Sequence, residues 1–300
     1  MMLDITRPLR GLCLALTLIA VATGARAENV TLTHVHGLGF SNDGAELVVP
    51  SHHGLAVYRD GAWSKAPGPA HDYMGFVATG KRYYSSGHPA PGTNLVNPFG
   101  LIRSDDNGKT WTKLGLEGQS DFHLMAASAE TNAVYVFNTG PNARMPQAGL
   151  YWTANDGLAW RPAQAQGLQG RLQAIAVHPV DAKTVAVGTS EGLFLSTDAG
   201  DHFRPIARGM QTLALMFARD GATLWASAAD RTAHLYRVEW KSGGKTEAVM
   251  PPLDQDAVAY IAQNPVRPAE LAIATFQKSV FVSADDGKSW KRIADRGRAL

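Results

Sequence analysis

Seven of the ten histidines in this 300-residue chain fall between residues 34 and 123: His34, His36, His52, His53, His71, His88 and His123. Two aspartates, Asp72 and Asp121, stand among them. Neutral imidazole and carboxylate are ligands that Zn, Cu(II), Ni and Fe(II) accept readily. His34 and His36 are two residues apart, so on a strand they point to the same side. The pattern predicts a divalent transition-metal site, with Zn or Cu foremost. His36, Asp72 and His123 are the expected direct ligands. His71, His88 or His34 would add a fourth ligand or orient one of the three.

Residues so far apart in sequence need a scaffold that returns to one place, and the chain has one. A phrase Ser/Thr-x-Asp-x-Gly-x-x-Trp/Phe recurs, most clearly at Ser104–Trp111, Ser196–Phe203 and Ser283–Trp290, with a worn copy at Thr153–Trp160 and a remnant ending at Trp63. A repeat of this length is the size of a propeller blade. Each unit reads as four short strands divided by Gly, Asp-Gly and Pro-containing turns, and helical periodicity is absent beyond the N-terminus. The expected fold is all-β, a six-bladed β-propeller rather than a seven-bladed one. Its blades would cover about 30–66, 67–115, 120–165, 168–207, 209–250 and 257–295.

In such a ring the inner strands begin, and the second strands end, around one mouth of the central channel. Aligning the inner strands on Gly39, Gly75, Ala126, Ala176, Ala214 and Ala262 puts His36, Asp72, His123, Gln173, Gln211 and Ala259 at equivalent positions. His34, Asp121 and Arg171 precede three of these by two residues. The loops after the second strands add His52, His53, His88, Asn138, Asn142 and Arg144. Arg144, Arg171 and Arg208 would place guanidinium groups on the far side of the mouth, suited to a carboxylate, sulfate or phosphate. Together with Asn138, Asn142, Gln173 and Gln211 they define the expected binding site for a small anionic molecule or a glycan.

The first 27 residues look like a processing signal. Arg7 and Arg10 precede an apolar run from Gly11 to Gly24, and Ala25-Arg26-Ala27 is a small-residue cleavage site. Cleavage after Ala27 would yield a periplasmic or secreted monomer with no membrane-spanning segment. Cys13 is the one cysteine and lies inside that signal. The mature chain therefore has no disulfide, thiol nucleophile, thiolate zinc site or blue-copper centre. A net charge of +2 without a basic tract argues against nucleic acid as a partner.

The repeated phrases resemble Asp boxes, known from sialidases and many other propellers. In those families the boxes sit at the turn between third and fourth strands, away from the ligand face, so Asp106, Asp198 and Asp285 are expected to be structural. The stretches His34–Phe40, His71–Phe76, Ser86–Pro89 and Asp121–His123 resemble a family of exported bacterial Asp-box proteins loosely catalogued among glycosyl hydrolases. A sialidase-like site would need an arginine triad, for which Arg144, Arg171 and Arg208 are the candidates. It would also need a tyrosine nucleophile, Tyr73, paired with Asp72 or Asp121. The Phe-Arg-Ile-Pro phrase of sialidases is missing, and no glutamate stands on an inner strand. Asp72 and Asp121 could alternatively form two-carboxylate glycosidase machinery. The leading expectation is a metal site that holds an anion or activates water. The alternatives are a metal-independent glycoside hydrolase and a protein-assembly scaffold.

Overall fold

A computed structural model describes residues 30–300. The segment 1–29, including the expected signal, lies outside the described residues. The described chain is all-β, with six small antiparallel sheets in sequence order around a central channel. Blade 4 is representative. Its strands are Leu172–Val177, Val185–Thr189, Gly192–Ser196 and Arg204–Arg208, each paired with the next. The inner strands of the six blades are Gly39–Phe40, Asp72–Ala78, Met125–Ala127, Leu172–Val177, Gln211–Phe217 and Val258–Gln263. Among the described residues no helix is long and apolar enough to cross a membrane.

Apolar side chains from facing sheets fill the gaps between blades. Val177, Val187 and Phe194 of blade 4 pack with Tyr135 and Trp152 of blade 3, and Ala176 and Leu195 pack with Leu215, Phe217 and Trp240 of blade 5. Each sheet is thus covered on both faces, and this burial is the main stabilising force. The ring closes through the last sheet, which has a fifth strand, Arg298–Ala299. Thr31 bridges to Arg298, and Leu32 N donates to Gly297 O at 2.8 Å. The first and last of the described residues thereby meet at one sheet, and its edge is protected.

The repeated phrases do the local work their composition implies. Ser104 Oγ donates to Asp106 Oδ1 at 2.8 Å and accepts from Gly108 N at 2.8 Å, and Asp106 Oδ1 accepts from Thr110 N at 2.9 Å. The same bonds recur around Asp198 and Asp285. His202 belongs to its box, with Nδ1 2.7 Å from Asp198 Oδ2. In the worn copy Asn155 replaces Asp and still accepts from Ala159 N at 2.9 Å. These turns rest on the turns joining first and second strands: Ala199 N donates to Lys183 O and Asp286 N to Ala269 O, each at 2.8 Å. They therefore lie at the end of the blades opposite His34, His36, His52, His88 and His123.

Candidate metal centre at the channel mouth

His34 and His36 do not stand on a strand. The inner strand of blade 1 is only Gly39–Phe40, and residues 34–38 form an irregular lead-in. The cause is a division of its bonds. His36 N donates to Pro50 O of its own blade at 3.3 Å while His36 O accepts from Phe76 N at 3.3 Å, so the segment is shared between blades 1 and 2 and does not pair regularly with either. Gly37 permits this, since a Cβ there would come within 2.8 Å of the Phe76 side chain and carbonyl. The two rings nevertheless share a side, stacked with centroids 5.6 Å apart.

His52, on the turn after the second strand of blade 1, completes the group. Its ring centroid lies 4.2 Å from that of His34 and 4.9 Å from that of His36. One ring nitrogen from each of the three lies within 4.8 Å of the others. Asp72 joins them from blade 2: Oδ2 is 2.6 Å from His52 Nδ1, and Oδ1 is 3.9 Å from His36 Nε2. These last two atoms are buried and have no hydrogen-bond partner, a costly state for polar atoms in a folded chain. Burial pushes the His36 pKa down to about 4, against the pull of Asp72 and with help from the nearby His52, His34 and His123. The ring is therefore neutral, with a lone pair to offer, at ordinary pH.

His123 takes another partner. Its Nε2 lies 2.7 Å from Asp121 Oδ2, which His88 Nε2 also approaches at 3.1 Å. His88 Nδ1 is 2.7 Å from Asn97 Oδ1. The hydrogen bond to Asp121 holds the His123 pKa above the ordinary imidazole value. Burial works to raise the Asp121 pKa, but bonds and charge from His123 and His88 outweigh it and hold the carboxyl low. The mouth thus carries two adjoining imidazole–carboxylate groups, one of three histidines around Asp72 and one of two around Asp121. Two glycines allow the close packing here, Gly75 between blades 2 and 3 and Gly87 between the first two strands of blade 2. Gly75 has φ +53 beneath the Phe122 carbonyl, and Gly87 has φ +114 beneath the Asp72 carbonyl, positions where any Cβ would collide.

Other expected site residues are placed elsewhere. His71 is buried against Phe99, and its Nδ1 accepts from Ala90 N at 3.0 Å, so it holds a loop of blade 2. Tyr73 is fully buried, stacks on Trp111 at 4.8 Å and donates to Pro69 O at 3.1 Å. Alternation along the strand turns it away from the side that Asp72 occupies, and burial raises its pKa strongly. Asn138 donates to Gly140 O at 2.5 Å and Gln147 O at 3.0 Å. Asn142 donates to Ser120 Oγ at 2.8 Å and Asn138 Oδ1 at 3.2 Å, so both asparagines organise the blade 3 loop.

The three arginines do not converge. Arg144 donates to the Gly157 carbonyl. Arg208 donates to Gln169 Oε1 at 2.8 Å and lies over Phe194. Arg171 alone of the three lines the channel, beside Gln173. Gln173 Nε2 donates across the blade boundary to Gln211 Oε1 at 3.2 Å.

A family model for the BNR/Asp-box repeat matches residues 102–113. No curated protein matches the chain by sequence. Among solved structures, the fold is similar to the GH74 xyloglucanase of Xanthomonas campestris, at 16% identity and a TM-score of 0.56. It is also similar to the GH74 enzyme of Niastella koreensis, at 17% and 0.60. Each likeness covers 89% of this chain but 46% of the other, so the chain spans less than half the length of these enzymes. YCF48 bound to D1 peptide matches at 18% identity and a TM-score of 0.50, over 89% of this chain and 84% of that one. In repeat and in fold, the chain is a six-bladed BNR/Asp-box β-propeller with glycosyl hydrolase propellers among its structural neighbours.

Proposed function

We propose that this protein is an exported metal-binding propeller. It holds one divalent transition-metal ion through His34, His36 and His52 at the mouth of the channel. The observation that carries this reading is the convergence of three imidazole nitrogens within 4.8 Å of one another. Asp72 serves the site in one of the ways carboxylates commonly do. It hydrogen-bonds His52 Nδ1, which leaves Nε2 of that ring free to ligate, and its second oxygen faces the same space as His36. Three histidines with a carboxylate suit Zn or Cu(II). The bound ion would hold a small anion or lower the pKa of a water molecule.

Titration of the chelator-treated protein with Co(II) and Cu(II), followed by d–d absorption, tests this. One equivalent should saturate the wild type, and His34→Ala/His36→Ala/His52→Ala should show no ligand-field band. A featureless wild-type titration would refute the reading.

Metal-independent glycoside hydrolysis is the second reading, favoured by the presence of both Asp72 and Asp121 at the mouth. It requires turnover of an aryl glycoside that survives chelator and is lost in Asp72→Asn or Asp121→Asn. Chelator-sensitive turnover, or none over a broad panel, removes it.

A further inference from the structure

The central channel is a continuous cavity of about 550 Å³, bordered at its mouth by His36, His123 and Arg171 and at its far end by Thr79, Gly80 and Arg219. The far end is barred. Arg219 follows the inner strand of blade 5 and reaches across the channel to blade 2, diametrically opposite in a ring of six, where Nη2 donates to Thr79 O at 2.7 Å. Its own backbone N is tied to blade 6, donating to Gln263 Oε1 at 2.8 Å. Gly80 makes room for the guanidinium, because a Cβ there would collide with Nη2 and sit 2.7 Å from Pro265 Cβ.

A guanidinium carries five N–H donors, and burial of this one disfavours its charge. The carboxylate that acts on it, Glu130, is itself paired with Lys81 Nζ at 2.5 Å. Above the arginine the walls are largely apolar, with Leu38, Phe76, Leu215 and Ile261 among them. Near the mouth, the buried Gln173 Oε1 has no hydrogen-bond partner. The volume lies within the range of about 300–1,000 Å³ usual for small-molecule sites.

We propose that the channel is a one-ended well for a small organic monocarboxylate, with its acid group on Arg219 and its apolar body against the walls. This site is separate from the metal centre and does not require it. A charged hydrogen bond from a part-buried guanidinium distinguishes a carboxylate from its neutral isostere.

The test is calorimetric binding of hexanoate and of 1-hexanol to chelator-treated protein. Hexanoate should bind at least about tenfold more tightly than hexanol. Arg219→Met should abolish the preference and Arg219→Lys should keep most of it. Gln173→Trp, which leaves the arginine bar intact and obstructs the entrance, should lose hexanoate binding while retaining the wild-type Tm. Equal affinities in the wild type would overturn the proposal. So would a preference that survives Arg219→Met, or unaltered binding in Gln173→Trp. A preference seen only after metal is restored would place the anion on the metal and equally overturn it.

Discussion

Asp72 and His52 meet at 2.6 Å across the boundary between blades 1 and 2, the shortest link between the carboxylate and the imidazole cluster. The bond fixes the orientation of the His52 ring, and through it the direction of the other ring nitrogen. Asp72→Asn preserves the shape but weakens the acceptor. We expect metal affinity to fall about 10- to 100-fold, the usual effect of losing such a partner, with little change in Tm. Competition titration against a chromophoric chelator measures this. Unchanged affinity would show that Asp72 neither binds the metal nor orients a ligand.

The depressed pKa of His36 has a consequence for stability. In the unfolded chain this ring takes up its proton near pH 6.5, and in the native chain near pH 4. Between those values unfolding binds a proton, so acidification favours the unfolded state. The metal-free protein should lose stability as pH falls from about 6.5 to 4, and His36→Gln should flatten that part of the curve. Denaturant midpoints measured across the range provide the check, with an NMR titration of the His36 ring as a direct reading of its midpoint.

Tyr73 offers a clean separation between packing and catalysis. Tyr73→Phe removes the bond to Pro69 O and should cost about 0.5–1.5 kcal/mol, with no effect on metal binding or turnover. Tyr73→Ala opens a large cavity beside Trp111 and should cost about 3–5 kcal/mol. A Phe variant of normal stability that had lost an activity would restore Tyr73 as a candidate nucleophile.

The boxes make a graded prediction, because Asn155 already does in one blade what Asp106 does in another. Asp106→Asn should be nearly neutral. Asp106→Ala leaves Thr110 N and Ser104 Oγ without their partner and should cost about 1–3 kcal/mol. Thermal unfolding of the two variants decides it.

Much of this architecture was readable in advance, since the box residues set both the repeat length and the turn chemistry. The first three strands of blade 4 follow from apolar runs divided by a Pro-containing turn and a Ser-Glu turn, and the fourth from its place after the box. The candidate metal centre is readable only in part. His36, His34 and Asp72 come together as the sequence predicts, but His52 joins them from outside the expected ligand set, because turn direction after Ser51 is decided by packing between blades. His123 is diverted by Asp121, a competitor two residues away whose reach depends on an irregular lead-in rather than a strand. Tyr73 carried a usable signal: strand alternation cannot turn both it and Asp72 into the channel. Arg219 gave none, since its role depends on the distance across the ring.

Metal content is the decisive quantity. Protein purified without an affinity His-tag, and never exposed to chelator, should contain close to one Zn or Cu per chain by elemental mass spectrometry, and the His34→Ala/His36→Ala/His52→Ala variant, folded and equally pure, should contain essentially none. A native protein free of transition metal that also takes up none on dialysis against Zn, Cu, Ni or Fe would contradict the account at its centre.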